Sequence, residues 1–189
     1  MKALSIIQAE HRNLGIVLMC FHTLVHNIED KNKQPEFQLF RAILYYIEDF
    51  LQSFHHPKED DYLFPALVHR YPAAKELVQQ LKDQHQHGVE LIKALKEALS
   101  TYESNGATAY PKFRNAADNY IRFERMHAYK EEEELLPLAR EYLTSEDWEP
   151  IDRAFSDHDD PMFGDKILQQ YQQFQKLIVK TCLFGELLL

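Results

Sequence analysis

Apolar residues recur along this chain at alternating steps of three and four. From Leu4 the row runs Ile7, Leu14, Leu18, Phe21, Val25, Ile28. That spacing lines one side of an α-helix and predicts a bundle helix from about Ser5, its N-cap, to about Glu29. A polar loop over residues 30–35 leads to a second row, Phe37, Phe40, Leu44, Ile47 and Leu51, which continues through His55 and Glu59. Pro57 lies inside this helix and predicts a kink or a widened turn there. After the break at Tyr71-Pro72, a third helix carries Val78, Leu81, Ile92, Leu95 and Leu99. Beyond Ser104-Asn105-Gly106-Ala107, a fourth carries Phe113, Ala117, Tyr120, Glu124, His127 and Glu131, ending near Tyr142. Thr144-Ser145-Glu146-Asp147 reads as the cap of a short fifth helix with Trp148, Ile151 and Phe155. A last helix is expected over residues 164–184.

The predicted fold is therefore all-α: an up-down-up-down four-helix bundle over residues 1–143. Residues 144–189 form a C-terminal helical extension that packs on the bundle or makes a homodimer surface. Five glycines in 189 residues, with 45% hydrophobic residues, agree with a helical protein. The net charge of -9 excludes a nucleic-acid surface, which needs clustered Lys and Arg. No apolar run of about 18 residues is present to span a membrane. Cys20 and Cys182 lie far apart, outside any Cys-x-x-Cys pair, and read as reduced residues of a cytoplasmic protein.

Two positions of the apolar rows are histidines, His11 and His85. The second and fourth helices each end in His-x-x-x-Glu, as His55 with Glu59 and His127 with Glu131. Residues four apart stack on one helix face. The whole unit, a helix with a core histidine followed by a helix with such a pair, recurs after about 73 residues. At ~1.5 Å per residue, His11 and His55 both lie roughly 27–29 Å from their shared turn. His85 and His127 are level within one turn. Six polar side chains, His11, His55, Glu59, His85, His127 and Glu131, thus converge on one cross-section of an apolar core. Burying them without a shared partner is costly, and a metal centre is the cheaper account.

These residues resemble the hemerythrin-like family, the HHE cation-binding domains. The resemblance covers about residues 5 to 142. It rests on Glu10-His11-Arg12-Asn13-Leu14, on His55-x-x-x-Glu59 with Leu63-Phe64-Pro65, on His85-x-x-Gly88, and on His127-x-x-x-Glu131 with Leu135-Leu136-Pro137-Leu138-Ala139. It implies two non-haem iron ions inside the bundle, with His11, His55, His85 and His127 as terminal ligands and Glu59 and Glu131 as bridges. The oxygen-carrying hemerythrins supply a further histidine four residues after the one at His85. Here that residue is Val89, and the chain looks more like the bacterial standalone branch.

Imidazole with carboxylate suits iron better than calcium or magnesium, and no thiolate set for structural zinc is present. Of twelve positions on two octahedral irons, about two remain open after four histidines, two bridging carboxylates and a solvent bridge. The expected function is a di-iron protein that binds O2, NO or peroxide, in sensing, iron handling or oxygen handling. The competing classes are a redox enzyme consuming peroxide or NO, and a metal-free helical interaction module.

Several neighbours read less sharply. His56 points about a quarter-turn from His55 and is expected in an outer shell or on the surface, with an extra ligand at the Pro57 kink as the alternative. His87 should face away. Glu124 makes Glu-x-x-His with His127 and offers a second-shell partner; Glu132 stands one residue beyond Glu131. Glu133 and Glu134 read as a solvated face, and His158 as part of a polar loop. His22 and His26 are four apart on the first helix; His22 lies about 16 Å from His11 along the axis at ~1.5 Å per residue, and the two read as a packed or exposed pair, with a polar access path or a second weak site as the alternative.

Overall fold

The computed structural model of the chain describes residues 1–31, 35–157, 160, 162–163 and 172. Within them the chain is all-α. Helix α1 spans Lys2–Lys31. The second rod is a relay of short segments: α2 (Phe37–Asp49), a π-helical turn (Phe50–His55), α3 (His56–Lys58), a second π-helical turn (Glu59–Leu63) and α4 (Phe64–Arg70). A 3₁₀ turn at Pro72–Ala74 leads into α5 (Lys75–Asn105). Helix α6 (Tyr110–Lys130) passes through a π-helical turn (Glu131–Leu135) into α7 (Leu136–Tyr142). Helix α8 spans Ser145–Asp157. Around the bundle, α1 packs on α2, α2 on α5, α5 on α6, and α6 back on α1.

All three π-helical turns have the same cause. The amide of His56 bonds to the Leu51 carbonyl, that of Phe64 to Glu59, and that of Leu136 to Glu131, each five residues back. The next residue each time is a proline: Pro57, Pro65 and Pro137. A proline ring has no amide hydrogen and collides with the carbonyl four residues back. Widening the preceding turn moves that carbonyl aside without ending the helix. The widened turn expected at Pro57 is therefore present, and it has two counterparts.

The rods enclose two separate apolar clusters. One holds Leu18, Phe21, Phe40, Ile43, Phe50, Ile92 and Phe113. The other holds Ile7, Leu63, Phe64, Leu67, Leu81, Leu135 and Leu136, and α8 adds Trp148, Ile151 and Phe155 to it. The layer between them is polar. Helix α8 starts at a reciprocal cap: Thr144 N–H donates to Asp147 Oδ2 at 2.9 Å, and Asp147 N–H donates to Thr144 Oγ1 at 3.4 Å. Arg70 Nε, at the end of α4, donates to the same Asp147 carboxylate at 2.6 Å. The last expected helix, residues 164–184, lies outside the described residues.

Cys20 is buried and disulfide-bonded rather than a free thiol. This corrects the expectation that Cys20 is reduced and removes its share of the cysteine argument for a reducing compartment. Wide separation in sequence does not bar a disulfide; distance in space does. Cys182 lies outside the described residues. No helix among the described residues is long and apolar enough to cross a membrane.

Phe155 is fully buried in the second cluster. Phe155→Ala is expected to cost about 3–5 kcal/mol in chemical denaturation. A loss under about 1 kcal/mol would mean that α8 is not an integral part of this core.

Candidate metal centre

Four rods bring seven side chains into the polar layer. His11 comes from α1. His55, His56 and Glu59 come from the relay around α3. His85 comes from α5, and His127 and Glu131 from the end of α6 and the turn after it. All seven are buried. His11 Nε2 lies 3.1 Å from His55 Nε2 and 3.2 Å from Glu131 Oε2. His55 Nε2 to Glu59 Oε1 and His127 Nε2 to Glu131 Oε1 are both 3.5 Å. The two His-x-x-x-Glu pairs are thus equally tight, although Pro57 interrupts only the first. His85 Nε2 lies 3.6 Å from Glu59 and 3.8 Å from Glu131.

The other ring nitrogen is anchored in each of four histidines. His55 Nδ1 lies 2.8 Å from Glu10 Oε2, His85 Nδ1 3.2 Å from Asp60 Oδ2, His127 Nδ1 3.0 Å from Gln84 Oε1, and His11 Nδ1 3.0 Å from Glu132 Oε1. An oxygen acceptor at Nδ1 places the proton there and turns the Nε2 lone pair inward, the state a metal ligand needs. The anchors form a ring. Glu10 on α1 holds a histidine of the second rod; Asp60 on that rod holds one of α5. Gln84 on α5 holds one of α6, and Glu132 after α6 holds the one on α1. Each anchor is the sequence neighbour of a residue in the layer, yet each serves a histidine on the next helix. Glu10 is itself fixed by Lys58, a buried lysine whose Nζ donates to Oε1 at 3.1 Å and lies 4.8 Å over the Phe155 ring.

The inward atoms have no such partners. Both oxygens of Glu59, both of Glu131, and Nε2 of His56, His85 and His127 are buried without a hydrogen bond among the described residues. Burial and the neighbouring Glu131 charge push the Glu59 carboxyl well up. Burial works against Glu131 too, but His127 and His11 outweigh it and hold its carboxyl well down. Burial likewise opposes charge on His11, yet Glu131 and Glu132 raise its pKa to about 10. Burial lowers His127 to about 4 and His56 well below its ordinary value. Two carboxylates and a ring of lone pairs in an apolar interior are therefore balanced by trapped protons unless a cation replaces them.

The donor set fits two cations. His11, His55, Glu59 and Glu131 form one group, and His56, Glu59, His85 and His127 another, with the donor atoms of each group within 4.8 Å of one another. Glu59 belongs to both, and Glu131 also reaches His127 and His85. Nitrogen and oxygen donors in this ratio suit a first-row transition metal. The buried His and Glu groups thus suit a binuclear cation site.

The six residues expected in the layer are all there. His56 departs from the expectation of an outer or surface position: it is buried, and its ring stacks on His85 at 3.8 Å and 13°. The π-helical turn ending at His55 carries an extra residue and turns His56 inward beside His55. Glu132 anchors His11 and stands outside both donor groups. Glu124 is buried at the edge of the layer, and burial pushes its carboxyl up to about 7. Gly88 leaves room for it: a Cβ there would stand 3.2 Å from Glu124 Oε1. A cleft of about 220 Å³ between α1 and α6 reaches His11 and Glu124, past Gly15, Leu18 and Ala128. His87 faces away and meets Glu90 at 3.2 Å; Glu133 and Glu134 are exposed. His158 lies outside the described residues. Asp60, Gln84 and Lys58 were not legible as site residues, and Glu10 was legible only as part of a motif.

Two predictions follow from this geometry. Asp60→Ala and Gln84→Ala should each lower metal affinity about 10–100-fold, with helicity kept. Glu133→Ala should leave it unchanged. Equal effects in a metal titration would show that the ring does not tune the site. The second concerns pH. Below about 10, His11 carries a proton that a cation must displace. Affinity should thus fall about tenfold per pH unit per displaced proton as pH drops through the neutral range. Uptake without proton release to an indicator dye would contradict this.

The family model for the hemerythrin HHE cation binding domain matches residues 2–160. No curated protein and no solved structure matches the chain. With the family match covering most of its length, and with the buried His and Glu groups in place, the chain belongs to the hemerythrin HHE cation-binding domain family.

Proposed function

We propose that the polar layer holds two non-haem iron ions and binds a small ligand, O2, NO or peroxide, at one of them. His11 and His55 would hold the first iron, His56, His85 and His127 the second, and Glu59 and Glu131 would bridge both. The ring of four anchored imidazoles facing buried carboxylates that lack a hydrogen bond among the described residues carries this reading. With His56 counted, three imidazoles would hold the second iron and only His11 and His55 the first, so the side with two histidines would take the ligand. That side contains His11, which the cleft between α1 and α6 reaches. Iron in such a site supplies one-electron redox chemistry and an open coordination position. The protein's own share is to orient the imidazoles and exclude bulk water with two apolar clusters. Sensing, iron handling and oxygen handling all draw on this behaviour.

A second reading, a redox enzyme consuming peroxide or NO, draws on Glu124. Its buried carboxyl, raised to about 7, stands on the cleft beside His11 and can hold or release a proton near neutral pH.

Iron quantitation joined to an optical spectrum tests the first reading. The iron-loaded protein should change its spectrum on exposure to O2 or NO, and His11→Ala should lose the response. Protein prepared with ample iron that holds no metal, or that responds to none of the three ligands, overturns it. Turnover of peroxide or NO that is lost in Glu124→Gln, while binding persists, would decide for the enzyme.

A further inference from the structure

Away from the buried layer, α1 and α6 bring three more donors together. His22 and His26 lie one turn apart on α1, with their rings stacked at 4.2 Å and 27°. Both Nε2 atoms face the same oxygen on α6, Asp118 Oδ1, at 3.9 Å from His22 and 2.9 Å from His26. The three donor atoms lie within 4.8 Å of one another. A tetrahedral ion with bonds of about 2.1 Å needs donors roughly 3.4 Å apart. The two observed distances to Asp118 bracket that value, and small side-chain rotations would equalise them.

We propose that His22, His26 and Asp118 form a second, surface site for a divalent transition-metal ion, independent of the buried layer. Two imidazoles and one carboxylate select borderline ions of the zinc, nickel and copper class over calcium or magnesium. The His22, His26 and Asp118 side chains are 52%, 32% and 39% exposed. The remaining coordination positions are thus open to water, as in sites with three protein ligands. His22 lies eleven residues after His11, about 16 Å along the helix at ~1.5 Å per residue, so the two sites share no ligand. The ion would tie α1 to α6, the two helices that wall the cleft to His11. Asp118 comes from a distant part of the chain, so the third ligand is visible only in the fold.

Cu2+ is the probe, because it binds nitrogen–oxygen sites most tightly in the first-row series and reports its ligands by electron paramagnetic resonance. Protein with its buried layer already loaded should take up one further Cu2+ per chain, with a signal from two imidazole nitrogens. The double variant His22→Ala/His26→Ala should lose that equivalent while keeping its helicity and its buried metal. Asp118→Ala should weaken uptake at least about tenfold. A His85→Ala/His127→Ala protein should keep the surface equivalent, which separates this site from the buried one. Equal Cu2+ uptake and an unchanged signal in the His22→Ala/His26→Ala protein would overturn the proposal. So would the absence of any further equivalent in the parent.

Discussion

Two carboxylates, Glu59 and Glu131, are fully buried in the middle of the bundle with no hydrogen bond to any oxygen among the described residues. An uncompensated ion in such a place costs several kcal/mol after relaxation. The rest of the structure is arranged around that cost. Imidazoles from all four rods approach the pair, and their charges and protons are what hold one carboxyl down while the other is pushed up. The arrangement suits a cation, which would replace those protons. Apolar clusters flank the layer on either side, and the low dielectric they provide strengthens any charge interaction within it.

Holding a site together across four helices requires that the rotation and height of each be fixed relative to the next. The ring of anchors does this. Glu10, Asp60, Gln84 and Glu132 each reach from one helix to a histidine on its neighbour, so the last contact closes on the first helix. A shift of any one helix would misalign a ligand on another. Through Lys58 the ring reaches Phe155, and with it α8, which also buries Trp148 and Ile151 in the second cluster. The C-terminal part of the described chain thus supports the site without entering it.

Much of this is written in the chain. The alternating three and four spacing marks the helices, and the doubled His-x-x-x-Glu places both pairs at one depth, because helical rise converts sequence distance into height. The π-helical turns also leave a mark, since each closes on the residue before a proline. What periodicity cannot show is rotation after an irregular turn. His56 read as a quarter-turn away and instead stacks on His85, since the widened turn before it changes the angle. Partners that act across helices are equally hidden. Gln84 is an ordinary surface glutamine until the fold places it against His127. Asp118 gains meaning only when α6 meets α1.

Whether Glu59 and Glu131 share two metal ions is read most directly from anomalous diffraction at the iron edge, on crystals of iron-loaded protein. Two peaks about 3.5–4 Å apart are expected, as in two-metal sites generally, both flanked by Glu59 and Glu131. One peak should lie beside His11 and His55, the other beside His56, His85 and His127. A single peak, or a layer without metal in which Glu59 and Glu131 share a proton instead, would contradict the sharing of two ions.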